Sequence, residues 1–337
     1  MAATDGPPIR FLDAADVTAA MPPLAERLRL AERTMTALVG EAELPPKIGV
    51  HPRPAGSFAH AMPAHLRGSD PAGGEDLLGM KWIAGFPANR ELGLAAIHGL
   101  VVLSDPATGR PVAILDAGPI TAERTAAISG VAIARWAPAL TARRPTRVAI
   151  LGAGVQGRSH LAVIGHLRPG CDLVVFDRHP DRAAALAADA ARTTGIRSAR
   201  AAGTAREATR SADVVVSAAS FAPAEERQTL TGDWLSRDVL VVAVDYATYV
   251  AAAVARDAAL FLVDQREQFL ANREAGQFAG YPDPAATIGE AILAGTTRTT
   301  RGHVVVTHLG VGLADLVFGD AIARRAAARG LGTLLGG

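Results

Sequence analysis

The spacing of apolar and polar positions changes character twice along the chain. Residues 12–40 repeat their apolar positions at a helical period, with Asp16 placed to cap the start and Gly40 near the end. From about residue 45 to 116, short β-rich runs take over: Ile48–His51, Ser57–Met62, Leu77–Ala84, Gly99–Ser104 and Pro111–Asp116. Turn pairs such as Asp105-Pro106 and Thr108-Gly109 divide them, which predicts an antiparallel or mixed sheet. Thr121–Trp136 reads as a helix, and Ala142-Arg143-Arg144-Pro145 as a break. From Arg147 strand and helix alternate. Strands are predicted at Arg147–Leu151, Asp172–Phe176, Asp213–Ala218, Val239–Val244 and Leu260–Val263, with helices at Gly157–His166 and Asp181–Thr194. Repeating βα units imply a parallel, doubly wound sheet. A last helix, Leu313–Arg329, is placed to return to the first domain. The alanine-rich runs Arg182–Arg192 and Ala321–Arg329 read as helix with a small-residue packing face.

Composition narrows the classes. A chain of 337 residues exceeds what one hydrophobic core usually absorbs, so two domains are expected. Net charge is +1, from 34 basic and 33 acidic side chains, which gives no electrostatic reason to expect nucleic acid or an anionic membrane as partner. Cys171 is the only cysteine, so no internal disulfide can form, as suits a reducing compartment. No Cys/His cluster has zinc spacing. The first ten residues, MAATDGPPIR, lack the basic start and apolar stretch of a leader, and runs such as Val239–Val244 are strand-sized. These features predict a soluble, cytoplasmic protein.

The strongest local signal is Val148-Ala149-Ile150-Leu151-Gly152-Ala153-Gly154-Val155-Gln156-Gly157, a buried strand, then G-x-G-x-x-G, then a helix. Gly152 permits the tight turn, Gly154 lets a pyrophosphate approach the backbone, and Gly157 lets helix and strand pack closely. The phosphates then meet the helix N-terminus, where N–H groups and the dipole favour negative charge. Asp177 ends the next strand 20 residues past Gly157, where a carboxylate binds the adenosine ribose hydroxyls and repels a 2′-phosphate. NAD(H) is therefore favoured over NADP(H), although Arg178 beside it could receive that phosphate. The predicted fold class is α/β. A Rossmann domain spans 126–309, and a discontinuous α+β substrate-binding and dimerisation domain is built from 1–125 and 310–337.

Several blocks flank this unit: Ala61-Met62-Pro63-Ala64, Gly79-Met80-Lys81-Trp82, Phe86-Pro87-Ala88-Asn89, Ile120-Thr121-Ala122-Glu123-Arg124-Thr125-Ala126-Ala127 and Leu309-Gly310-Val311-Gly312-Leu313-Ala314-Asp315. Together and in this order they resemble the ornithine cyclodeaminase/mu-crystallin family. The resemblance implies a homodimer with hydride exchange at the α-carbon of a small amino or imino acid. It places Lys81 and Arg124 at the substrate carboxylate, with Lys81 also serving in acid/base steps. Lys47 would hold the same carboxylate. Arg124, Thr125, Val155, Gln156, Ser217, Val244 and His308 fall at the cofactor. Cations at these positions make physical sense, because a carboxylate entering a low-dielectric cleft needs opposite charge and hydrogen bonds. A desolvated lysine among other cations also has a depressed pKa and can shuttle protons.

Two positions depart from the family's namesake. Its catalytic aspartate aligns with Ala247, with Asp245 two residues earlier and expected on the same face of a strand, where it either substitutes or is a strand-end turn residue. The acid that recognises the distal amine of ornithine aligns with His60, which lacks a fixed negative charge. The expected function is an NAD(H)-dependent oxidoreductase of the ketimine reductase or amino-acid dehydrogenase type. Lys81, His60 or a water would manage the nitrogen's proton. The alternatives are a cyclodeaminase that uses NAD catalytically, with Asp245 as its acid/base group, and a non-catalytic ligand binder. His160 and His166 read as packing or surface residues, Ser217 as a cofactor contact or a hydroxyl bonded to backbone, and Asp315 as a cap or anchor of the last helix, the favoured role, or as a residue approaching the site.

Overall fold

The computed structural model describes residues 7–68, 76–141, 144–220, 222–299 and 301–336. The first six residues, and Ala142 and Arg143 of the expected break, lie outside these. In chain order the elements are β1 (Ile9–Leu12), α1 (Ala14–Ala20), α2 (Leu24–Ala37), β2 (Ala42–Glu43), β3 (Ile48–Val50), β4 (Phe58–Leu66), β5 (Leu77–Gly85), β6 (Ile97–Ser104), β7 (Pro111–Asp116) and α3 (Ala117–Trp136). There follow β8 (Arg147–Leu151), α4 (Val155–Leu167), β9 (Cys171–Phe176), α5 (Pro180–Ala191), β10 (Ile196–Ala201), α6 (Ala205–Thr209), β11 (Val214–Ser217), β12 (Leu240–Ala243), α7 (Ala252–Arg256) and β13 (Leu260–Val263). The chain closes with α8 (Arg266–Glu274), β14 (Ala286–Thr287), α9 (Ile288–Leu293), β15 (Val304–Thr307), α10 (Gly312–Ala328) and β16 (Thr333–Leu335). The chain divides into two compact units, residues 1–124 with 311–337, and residues 125–310. The division falls inside α3 rather than at 142–145.

Unit 1 is a mixed sheet in the order β16-β1-β7-β6-β5-β4-β2, with β3 paired to β4. Only β1–β7 is parallel; the other pairs are antiparallel. Helix α10 lies across β4, β5 and β6, and α1 and α2 pack against it. Glycines allow this approach: a Cβ on Gly312 would sit 2.6 Å from the Met62 carbonyl oxygen. Leu12, Met35, Val101, Leu115 and Phe318 form the fully buried centre. The single helix expected over 12–40 is two helices, because Met21-Pro22-Pro23 interrupts it. Pro23 lacks an N–H and stands as the N-cap of α2. The cap of α1 is Asp13, whose Oδ1 accepts from the amides of Ala15 and Asp16; Asp16 itself lies in the first turn.

Unit 2 is an eight-stranded, wholly parallel sheet in the order β10-β9-β8-β11-β12-β15-β13-β14. The central strands β8, β11, β12 and β15 are short, Val-rich apolar runs buried on both faces, as a parallel sheet covered by helices requires. Strand order runs outward from β8 in both directions, so the switch point lies between β8 and β11. Cys171 is buried at the start of β9, and burial pushes its thiol up to about 11. Among the described residues, no helix is long and apolar enough to cross a membrane.

Candidate active site

The glycine loop follows β8 at the carboxyl edge of the parallel sheet. Gly152 has φ +107°, and a Cβ there would lie 2.5 Å from the Ala218 carbonyl oxygen. A Cβ on Gly157 would meet the Gly152 carbonyl oxygen at 2.1 Å. Gly154 differs: nothing lies within 4 Å of its Cβ position. It is also the N-cap of α4 and gives that helix no side-chain cap, so the first-turn amides are not met by a capping side chain. This is an open cradle at a helix N-terminus, and it fits a dinucleotide pyrophosphate. Val155 at its mouth is 69% exposed. Asp177 is bound into the loop: Oδ2 accepts from the Ala153 amide at 2.8 Å and Oδ1 from the His179 amide at 2.9 Å. Arg178 beside it is exposed.

Further groups gather at the same sheet edge. Asp245 lies past β12 and is buried, and the Ser217 hydroxyl at the end of β11 donates to its Oδ2. Burial pushes its carboxyl up to about 6, against the lowering effect of the Ser217 hydrogen bond. Ser217 thus hydrogen-bonds a side chain, where one of its two readings expected backbone. The amide of half-buried Val244 donates to the Ser217 carbonyl at 2.8 Å. Tyr246 and Ala247 then both adopt left-handed backbone, φ +53° and +60°. Because β12 ends at Ala243, Asp245 and Ala247 do not share a strand face; Ala247 is wholly buried. The Tyr246 hydroxyl donates to the Leu309 carbonyl at 3.0 Å. Asp264, past β13, accepts the Leu309 and Gly310 amides on Oδ2 at 2.9 and 2.7 Å, which fixes the loop after β15.

That loop carries His308, which ends a buried relay. The His160 Nδ1 lies 2.6 Å from the Gln156 carbonyl, its Nε2 2.8 Å from Ser129 Oγ, and Ser129 Oγ 2.9 Å from His308 Nε2. A carbonyl only accepts, so His160 donates through Nδ1. Burial lowers the His160 imidazole to about 4, so it is neutral and its Nε2 accepts the Ser129 proton. Ser129 must then accept from His308, which carries its proton on Nε2. His160 is thus buried wiring rather than a packing residue; His166 is exposed.

In unit 1, β5 places Lys81 under α10. Its Nζ donates to Thr121 Oγ1 at 2.8 Å and to Asp315 Oδ1 at 3.0 Å. The same oxygen accepts from Arg124 Nε at 3.2 Å. All three charged groups are buried. Desolvation lowers Lys81 to about 8; Arg124 and Lys47 lower it too, and Asp315 raises it. The register pairs Met62 with Lys81 and Ile83 with His60, so His60 and Lys81 share one sheet face. His60 stacks on Phe58 with ring centroids 4.7 Å apart. Burial lowers its pKa, as do Lys47 and His51. Lys47 lies half-buried just ahead of β3, and Thr125 is buried directly after Arg124 in α3.

Lys81 and Arg124 are thus brought together, and Asp315 joins them instead of only anchoring a helix. Sequence reasoning missed Thr121, Ser129 and Asp264, and for Asp315 favoured the structural role over the approach to the site that the structure shows. A faint signal existed for His160, four residues beyond Gln156 and so on one helix face. Among the described residues no His/Cys/Asp/Glu group could hold a metal ion.

Comparison with known proteins agrees. The model of the ornithine cyclodeaminase/mu-crystallin family matches residues 14–328. The nodulation efficiency protein NfeD of Rhizobium meliloti is 32% identical over 337 residues, covering 97% of this chain and 98% of its own. The structure of Thermococcus litoralis Δ1-pyrroline-2-carboxylate reductase in complex with NADH and L-proline superposes with a TM-score of 0.82. It is 23% identical and covers 97% of this chain and 100% of that one. A lysine cyclodeaminase structure, 25% identical, gives 0.79 over 98% of this chain and 95% of that one. With a Rossmann unit, the Lys81–Arg124 pair and a match over nearly its whole length, the chain belongs to the ornithine cyclodeaminase/mu-crystallin family.

Proposed function

We propose that this chain is an NAD(H)-dependent oxidoreductase acting at the α-carbon of a small amino or imino acid. The carrying observation is the buried trio in unit 1. Lys81 and Arg124 bring two positive charges and Asp315 one negative. The unmatched positive charge, held out of water, is the complement of a single α-carboxylate. In the reductive direction, an imino acid, NADH and a proton give an amino acid and NAD+. A nicotinamide nucleotide, when bound, supplies or accepts the hydride. Gly152, Gly154, Val155, Gln156 and Gly157 hold its pyrophosphate and Asp177 its ribose, with Thr125, Val244 and His308 toward the nicotinamide. NAD(H) is favoured over NADP(H), because Asp177 would repel a 2′-phosphate; Arg178 is the competing influence.

Lys81 and Arg124, with Lys47, hold the carboxylate and so orient the α-carbon. Asp245 titrates near neutrality and supplies or takes the nitrogen's proton, with Lys81 and His60 as further acid/base groups. The second reading is a cyclodeaminase with Asp245 as its acid/base group. The likeness to lysine cyclodeaminase supports it; His60 and Ala247, where the namesake carries acids, weigh against it. One experiment separates them. NADH with a panel of imino acids, including Δ1-pyrroline-2-carboxylate, should give stoichiometric loss of nicotinamide absorbance. Ammonia released from L-ornithine or L-lysine with catalytic NAD+ supports the cyclodeaminase, and NADH binding with neither reaction supports a ligand binder.

The protein is further proposed to be a cytoplasmic homodimer. Ile48, Trp82, Leu100 and Val112 lie exposed on the face of the unit 1 sheet opposite α10, and a second copy of the chain would cover them.

A further inference from the structure

We propose that Asp315 is a positioning residue of the substrate site: one carboxylate oxygen fixes Lys81 and Arg124 together and sets how readily Lys81 gives up its proton. The inference rests on the functional reading above for its consequence, but not for its geometry.

The donor inventory carries the first half. Lys81 has three ammonium protons, of which Thr121 and Asp315 take two. The third is directed by the other two. Arg124 meets Asp315 through Nε, which leaves the two terminal nitrogens as the fork that grips a carboxylate in bidentate fashion. Because Oδ1 is shared, neither cation can turn without disturbing the other. Asp315 is fully buried in the first turn of α10, and Lys81 in the middle of β5, so both frames are rigid.

Composition supplies the second half. The chain has only two lysines, Lys47 and Lys81; every other basic side chain apart from histidine is arginine. Arginine cannot lose its proton near neutral pH, whereas lysine can. A sequence that uses arginine almost everywhere keeps an ammonium here, facing groups that control its titration. Those groups are Asp315 from α10, Arg124 from α3 and Lys47 ahead of β3, and His60 on the neighbouring β4 shares the same sheet face. The residues paired with Lys81 across the sheet, Met62 and Val101, are uncharged. Desolvation, Arg124 and Lys47 push its pKa down, and Asp315 alone among the charged neighbours pushes it up.

Two lysines make the test direct. Full-length protein labelled at the lysine ε-carbons should give two NMR signals, assigned with Lys47→Arg. Lys81 should titrate near 8. Asp315→Asn keeps shape and acceptor but loses the charge, so the Lys81 titration should fall by roughly 1–3 pH units. Arg124→Gln leaves Asp315 wholly to Lys81 and should move it upward, which keeps the question answerable should Asp315→Asn fail to fold. The alkaline limb of kcat/KM for Δ1-pyrroline-2-carboxylate should move in step with each shift. A purely structural Asp315 would lower stability without moving the limb. An unmoved Lys81 titration in both variants overturns the inference. A moving titration in a protein that reduces no imino acid instead overturns the functional reading and leaves this one standing.

Discussion

Asp245 holds its charge at a cost to the fold, and replacing it should make the protein more stable and less active. Burial raises its carboxyl from 3.8 to about 6. At about 1.4 kcal/mol per pH unit, keeping it ionised in the native state costs up to ~3 kcal/mol. The sign follows from the order of titration. Below pH 3.8 both native and unfolded states are protonated and there is no cost. Between 3.8 and about 6 the unfolded chain ionises first and stability drops; above about 6 the full cost is present. Asp245→Asn is neutral throughout. It retains an oxygen for the Ser217 hydroxyl, while its new amide protons need partners, which returns roughly 1 kcal/mol. The expected net gain at neutral pH is ~2 kcal/mol, or a rise in Tm of roughly 4–8 °C for a unit of this size. Calorimetry across pH, following the transition that NADH shifts, measures it. The gain should shrink as pH falls through 6 toward 4, and turnover should drop in the same variant. A variant no more stable than wild type at neutral pH, or a gain independent of pH, refutes the reasoning. A residue that costs stability where it stands is being kept for another reason.

Three other outcomes are expected. Gly154→Ala adds a methyl to open space, so it should leave Tm unchanged while weakening NADH binding tenfold or more; Gly157→Ala drives a methyl into the Gly152 carbonyl and should destabilise unit 2, both read by thermal shift with and without NADH. Histidine 15N shifts should show the His160 proton on Nδ1 and the His308 proton on Nε2 at pH 7, and Ser129→Ala should release the His308 tautomer. The opposite assignment breaks the relay. Light scattering should give a dimer mass, and Trp82→Glu with Leu100→Glu should give monomers with unit 2 still binding NADH.

What was legible in the sequence was local. The βα rhythm from Arg147 and the glycine loop could be read because each rests on a few neighbouring residues with one steric solution. Thus β8 and β13 match their predicted limits, as does β7 in unit 1. The edge strand β16 and its neighbour β1 were missed because each is short and their pairing joins the far ends of the chain, Ile9 with Leu335, while the other partner of β1, β7, lies about a hundred residues on. Strand β15 was not read, although β13, equally short, was. The site divides the same way. Lys81 and Arg124 stood out in blocks with recognisable neighbours. Asp315 sat in such a block too, but its role depends on a partner 234 residues away. Ser129 joins residues 31 and 179 positions distant, a contact that no window along the chain contains.

The lone thiol has a practical bearing. Cys171 is sealed in β9 and holds its proton far above physiological pH, so it is a poor nucleophile toward maleimides, peroxide or a second thiol. The native chain is therefore already a blank for thiol chemistry. A single cysteine placed at an exposed position such as Val155 would be the sole site to take a fluorophore or spin label, reporting nucleotide arrival at the mouth of the glycine loop against no background.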